Sequence, residues 1–267
     1  MKPAPFDYAA PDSLAEALDL LAGENAWALA GGQSLIPMLN LRLARPALLV
    51  DLNRLDELAG IELAEDGTLH IGAMTRQADL LASELTAARW PLLRQALTNV
   101  GHAATRIRGT AGGSVAHADP SAQLPVALSA LDARFRVRSA AGERTLPAPD
   151  LFKGRGATGL RPGELLVRIE VPPIPRGTAT AFVEYAKTHG GFPVAGVAVV
   201  HLAARHCAIA LLGAGTAPVR ATAAEEALRG GASVEEVALL AASVVGADHQ
   251  RALIGALAQR ALEEVTA

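Results

Sequence analysis

Two glycine pairs, Gly31-Gly32 and Gly112-Gly113, are each followed by a serine within two residues, and the first stands where a helical pattern begins. Paired glycines let the backbone turn so sharply that successive N–H groups aim at one point. At the start of a helix such a turn, with hydroxyls beside it, is a cradle for phosphate or pyrophosphate. Read alone, Leu29-Ala30-Gly31-Gly32-Gln33-Ser34-Leu35 is most simply a tight strand-to-helix turn that holds nothing. A second such segment, Gly109-Thr110-Ala111-Gly112-Gly113-Ser114 running on to His117, Asp119 and Pro120, changes the weighing. Two such loops suit a ligand with a diphosphate and a large ring system.

Neither loop is a dinucleotide fingerprint. G-x-G-x-x-G is absent, its nearest decoy Gly213-Ala214-Gly215 running into Pro218, and no G-x-x-x-x-G-K-[ST] loop occurs. The pattern around the loops alternates strands and helices. Ser13-Leu14-Ala15-Glu16 has capping-box spacing and opens a helix that ends at Gly23. Residues 26–30 and 47–52 read as strands around the helix at 34–41. Residues 60–63 and 68–72 read as a hairpin, 77–85, 91–100 and 121–131 as helices, and 134–139 and 164–171 as strands. Pro172-Pro173-Ile174-Pro175 reads as a linker. Strands at 180–187, 194–202 and 207–212, followed by helices at 221–228, 234–245 and 250–265, close the chain. The fold class is α+β.

Composition excludes several function classes. A net charge of -3 without a Lys/Arg run, and only 3% aromatic residues, offer neither a basic track for a phosphate backbone nor many rings to stack bases, so no nucleic acid is expected. The start Met1-Lys2-Pro3-Ala4-Pro5 lacks the apolar stretch of a signal peptide and no run is long enough to span a membrane, so a cytoplasmic address is expected. Cys207 is the sole cysteine, which rules out an internal disulfide and a protein-held iron–sulfur cluster, since such clusters take about four thiolates. Any electron traffic needs an organic cofactor or another chain. Cys207 itself reads as a small core residue, His201 and His206 as strand residues without metal-ligand company, and His117 with Asp119 as turn geometry rather than a proton relay.

The blocks Ala30 to Leu41 (AGGQSLIPMLNL) and Gly109 to Pro125 (GTAGGSVAHADPSAQLP) closely resemble the FAD-binding medium subunits of carbon monoxide dehydrogenase, xanthine dehydrogenase and related molybdenum hydroxylases. Weaker likeness extends through Phe6-Asp7-Tyr8, Leu49-Val50-Asp51-Leu52, Ile71 to Thr75, Pro162 to Leu166 and Gly196-Val197-Ala198. The resemblance implies a two-part FAD-binding domain of the vanillyl-alcohol-oxidase/PCMH type over residues 1–56 and 57–173. It implies a small C-terminal domain over 177–267 with a short antiparallel sheet and three helices. By the same resemblance, amides of Ala30, Gly31, Gly32, Gln33, Ser34 and Leu35 grip the FAD diphosphate. Thr110, Gly113 and Ser114, with Val100 and Gly101, close over its other side, Leu166 and Gln123 join the contacts, and Lys187 sets a positive charge near the ring.

The chain departs from the family in three places. Gln123 stands where an acidic residue is usual, Thr188-His189-Gly190-Gly191-Phe192-Pro193 lacks the family's Gly-Asp, and Asp248 to Leu253 lacks its Tyr-Arg. Phe192 becomes a candidate ring-covering residue, and the helix from Gln250 a packing element. The implied function is an electron-transfer subunit without catalytic residues of its own. It would take electrons from [2Fe-2S] clusters on a small partner, reduced by a large molybdenum-cofactor partner in a dimer of heterotrimers. A quinone, a cytochrome, oxygen or NAD would accept them. The rival readings are a self-sufficient flavin oxidase or reductase of the same fold and a scaffold that has lost FAD.

Overall fold

The computed structural model describes residues 2–188, 190–203 and 205–267. The chain opens with β1 (Asp7–Ala9), α1 (Leu14–Leu21), β2 (Ala26–Leu29), α2 (Leu35–Asn40) and β3 (Leu48–Asp51). Ser13 Oγ caps α1 by accepting from the Glu16 N–H at 3.2 Å, and Glu16 reaches back to the Asp12 N–H at 3.1 Å. The three strands form a parallel sheet in the order β1-β3-β2, which requires crossover connections. α1 buries Leu14, Ala17, Leu18 and Leu21 in one core with Val50 and Leu52.

The second part begins with the hairpin β4 (Ile61–Leu63) and β5 (Leu69–Gly72). Six short helices follow: α3 (Gln77–Ala82), α4 (Glu84–Arg89), α5 (Pro91–Thr98), α6 (Ala103–Arg108), α7 (Ala111–His117) and α8 (Gln123–Ala130). Then come β6 (Arg134–Ser139), β7 (Gly142–Pro147), α9 (Ala148–Leu151), the small pair β8 (Phe152–Gly154) and β9 (Ala157–Thr158), and β10 (Leu165–Val171). A five-stranded antiparallel sheet runs β4-β5-β10-β6-β7. The helix expected over 77–85 breaks at Ser83, whose hydroxyl accepts from the Thr86 N–H and starts α4 instead. The helix expected from Ser121 starts at Gln123, because Asp119 takes the Ser121 N–H at 2.8 Å in the preceding turn.

The last part is an antiparallel sheet of β11 (Ala179–Ala186), β12 (Pro193–Leu202), β13 (His206–Leu212) and β14 (Val219–Arg220), then α10 (Thr222–Arg229), α11 (Val234–Ser243) and α12 (Asp248–Thr266). Its strands are apolar on both faces because both are covered. Val183, Val197, Val199, Ile209 and Leu211 pack on the three helices. Ala198, Val200, Ala208, Ala210 and Leu212 join the core of the second part, with Leu124, Phe135 and Ile169. Cys207 is buried on the helical side, where burial pushes its thiol up to about 12. α12 is a packing element: Gln250 Nε2 donates to the Gly213 carbonyl at 2.7 Å. Among the described residues no helix is long and apolar enough to cross a membrane.

Candidate functional site: a cleft built on the glycine turns

A cavity of about 550 Å³ opens among the three parts of the fold. Ala30, Gly31, Gly32, Gln33, Ser34 and Leu35 line it, as do Val100, Gly101, Thr110, Gly113, Ser114, Gln123 and Leu166. These residues are distant in sequence, and folding brings them to one cavity.

The first turn has the geometry of an anion cradle. Gly32 takes φ +72°, a left-handed conformation natural to glycine, and hands the chain into α2, where the Ile36 N–H bonds back to the Gly32 carbonyl at 3.0 Å. The N–H groups of Gly32, Gln33, Ser34 and Leu35 donate to no group among the described residues. All four residues line the cavity, so unpaired donors at a helix start stand beside it, the kind of group that binds anions.

The second segment differs from the expected loop. Gly112 and Gly113 lie inside the first turn of α7, and its amides are already used. Ala111 N–H bonds Thr75 O at 2.9 Å, Gly112 N–H bonds Ala73 O at 2.8 Å, and Gly113 N–H bonds the capping Thr110 Oγ1 at 3.1 Å. The glycines serve packing. A Cβ on Gly112 would lie 2.5 Å from Ala73 Cβ, and one on Gly113 would lie 2.6 Å from Thr110 Oγ1. This segment therefore offers the cavity a close-set helix surface and the Ser114 side chain rather than a nest of free amides.

The two segments touch. A Cβ on Gly31 would lie 2.3 Å from the Arg108 carbonyl oxygen and 2.9 Å from Gly109 Cα. Asn53 and Arg76, not expected from the sequence, clamp this seam. Asn53 Nδ2 donates to the Ala30 carbonyl at 3.0 Å, while Arg76 donates to Asn53 Oδ1 at 2.8 Å and to the Arg108 carbonyl at 2.7 Å. Asp51 steadies Asn53 and accepts from the Tyr8 hydroxyl at 2.7 Å. Burial raises the Asp51 carboxyl, but the hydrogen bonds from Tyr8 and Asn53 outweigh it and hold the group below the usual carboxylate range.

At the other side, Gly101 (φ +48°), Gly190, Gly191 and Pro193 join the lining, and Phe192 stands 80% exposed at the rim. His189 lies outside the described residues. Lys187 is not part of the wall: β11 has a register shift between Tyr185 and Ala186 and ends there, leaving Lys187 in an exposed bend. The positive charge expected beside the ring is thus not at the cavity lining. His117 and Asp119 border the cavity as parts of a turn in which Ala118 takes φ +48°. His201 lies in β12 with a buried, unpartnered Nδ1, and burial lowers its pKa. Among the described residues no cluster of three or more His, Cys, Asp or Glu could hold a metal ion.

Residues 4–174 match the family described as the FAD binding domain in molybdopterin dehydrogenase. The chain is 43% identical over 235 residues to the 6-hydroxypseudooxynicotine dehydrogenase complex subunit alpha of Paenarthrobacter nicotinovorans, covering 85% of this chain and 79% of that one. Its fold superimposes on a chain of carbon monoxide dehydrogenase from Hydrogenophaga pseudoflava with a TM-score of 0.94 and 38% identity, covering 100% and 99% of the two chains. Quinoline 2-oxidoreductase from Pseudomonas putida 86 gives a TM-score of 0.90 at 35% identity, covering 100% and 99%. With that match over residues 4–174 and these relatives, the chain belongs to the FAD-binding medium subunits of the carbon monoxide dehydrogenase and xanthine dehydrogenase family of molybdenum hydroxylases.

Proposed function

We propose that the cleft holds one FAD, with its diphosphate on the free amides of Gly32 to Leu35, and that the chain relays electrons within a larger oxidoreductase. The observation that carries this reading is the set of four unpartnered N–H groups on residues that line a cavity of about 550 Å³, a volume typical of small-molecule and cofactor sites. The bound flavin would exchange electrons one or two at a time, and the chain's own groups bind and orient it. Ala30 and Gly31 shape the first turn, Thr110, Gly113 and Ser114 the facing surface, and Val100, Gly101, Gln123 and Leu166 the remaining wall.

The architecture supports a two-part domain of the vanillyl-alcohol-oxidase/PCMH type over 1–56 and 57–173, with a C-terminal domain over 177–267. A chain with one buried cysteine cannot hold an iron–sulfur cluster, so any such cluster must lie on another chain. A small subunit with [2Fe-2S] clusters and a large molybdenum-cofactor subunit, in a dimer of heterotrimers in the cytoplasm, would deliver the electrons. A quinone, a cytochrome, oxygen or NAD would take them. Affinity purification from the native host, with an absorption spectrum and masses of the bound chains, tests this. Flavin bands with a small cysteine-rich chain and a large molybdenum-containing chain are expected. A lone yellow chain with its own turnover would favour a self-sufficient flavoenzyme, and a colourless chain that ignores added FAD would favour a scaffold.

The seam clamp gives a second test. Arg76→Ala removes two hydrogen bonds from a charged donor that tie the first turn to the second segment. FAD titration by fluorescence quenching should show affinity about 10-fold weaker, from roughly 1.5 kcal/mol of lost preorganisation at a partly exposed site. Unchanged affinity would remove Arg76 from the binding machinery.

A further inference from the structure

Gln123 lies in the first turn of α8, 5% exposed, on the cavity wall beside Val100 and Gly101. Two acceptors orient its amide. Nε2 donates to the Asn99 carbonyl at 3.2 Å and to Oε1 of Glu184 at 3.4 Å. The reversed amide would set oxygen against the Asn99 carbonyl, acceptor to acceptor, so chemistry fixes the orientation. Oε1 of Gln123 then accepts no hydrogen bond from the described residues. It is not among the buried atoms sealed without a partner, and the space Gln123 borders is the cavity. Glu184 reaches Gln123 from β11, just outside the lining, and its second oxygen, Oε2, is buried without a partner. Packing does not call for an acid there. A half-satisfied buried carboxyl costs stability, and its place at the edge of a binding cleft points to a role in that cleft.

We propose that Glu184 is a positioning residue: by holding Nε2 of Gln123 it keeps Oε1 turned into the cleft, as acceptor for a ring N–H or ribityl hydroxyl of the flavin. The inference rests on the FAD reading above.

Few charged groups surround Glu184. β12 sets Gly196 opposite it, α8 brings Gln123, and α5 brings Gln95 and Asn99, with Arg94 exposed on the same helix. α12 packs on the other face of the sheet, with Val183. Burial therefore pushes the carboxyl up to about 7, offset in part by the Gln123 hydrogen bond. It is neutral at lower pH and gains a negative charge as pH rises through that value. That charge opposes the negative charge a flavin gains on reduction, so the flavin's midpoint potential should fall more steeply across pH 7 than a neutral side chain would allow.

The test uses the full chain, reconstituted with FAD, and two variants. Glu184→Leu removes the acceptor, and FAD should dissociate about 3- to 10-fold more readily, the scale of one hydrogen bond. The apoprotein's melting temperature should be unchanged or raised, because a buried orphan oxygen is gone. Glu184→Gln keeps an acceptor for Nε2, so it should retain affinity within about 2-fold, yet lose the extra pH dependence of the flavin potential. If Glu184→Leu fails to fold, the pH profile of Glu184→Gln decides by itself. Wild type that takes up FAD, with Glu184→Leu binding it equally well or Glu184→Gln keeping the wild-type pH slope, would overturn this inference alone. Wild type that takes up no FAD would overturn it together with the FAD reading.

Discussion

Gly31→Val should abolish FAD retention, with affinity at least about 100-fold weaker, while the apoprotein keeps its secondary structure. A Cβ at this position would sit 2.3 Å from the Arg108 carbonyl oxygen and 2.9 Å from Gly109 Cα. Both are backbone atoms, so no side-chain rotation relieves the clash, and the two cradle segments must separate by about 1 Å or more. The clamp opposes that separation: Arg76 already grips the Arg108 carbonyl, and Asn53 grips the Ala30 carbonyl on the other side. Strain therefore falls on the turn itself, and the free amides from Gly32 to Leu35 no longer converge. A loss of about 3 kcal/mol of binding follows from misplacing several charge-assisted donors together. Gly246→Ala is the matched control, since a Cβ there meets nothing within 4 Å and should leave FAD affinity unchanged. Equilibrium dialysis with FAD and far-UV circular dichroism on both variants would decide. A Gly31→Val protein that stays yellow through gel filtration would show that the seam yields and that the first turn is not the diphosphate site.

What the sequence makes legible is local. The turn at Gly31-Gly32 can be read because its conformation needs glycine at that residue and the helix after it starts within three positions. The helix at Ala111–His117 cannot be read in the same way, because a glycine pair disfavours helix by about 1 kcal/mol per residue. Tertiary structure overrides that preference. Thr110 caps the turn, and the absence of a Cβ at Gly112 lets the helix lie against Ala73. Asn53 and Arg76 escape a sequence reading for another reason: polar residues are common, and their partners, Ala30 and Arg108, lie 23 and 32 residues away. Lys187 shows the reverse case, where a strand pattern is legible and the bulge that ends it is not. β12 and β13 read correctly as apolar strands, but which face meets which core depends on helices far along the chain.

Arg220→Met should lower stability by about 3–5 kcal/mol, the largest expected effect outside the cleft. Arg220, on the edge strand β14, joins two parts of the fold. Its Nε and Nη2 donate to the Glu225 carboxylate at 2.6 and 3.0 Å, and its Nη1 donates to the Ser129 carbonyl at 2.9 Å and to Asp132 at 2.6 Å. Glu225 is 5% exposed and also accepts the Ile209 N–H at 2.8 Å. Methionine would fill most of the arginine's volume but leave a buried carboxylate with one backbone donor and no counter-charge. It would also release the end of α8, whose first turn carries Gln123 on the cavity wall. Chemical denaturation at neutral pH should show the loss, with FAD affinity falling as a consequence. The double variant Arg220→Met/Glu225→Leu separates the causes. If the unpaired carboxylate is what destabilises Arg220→Met, removing it should recover at least half of the lost stability, because an apolar pair of similar size replaces an ion pair at little cost. If the double variant is as unstable as the single one, the bonds to Ser129 and Asp132 carry the effect, and the C-terminal sheet is anchored to the cleft through α8 rather than through its own buried ion pair.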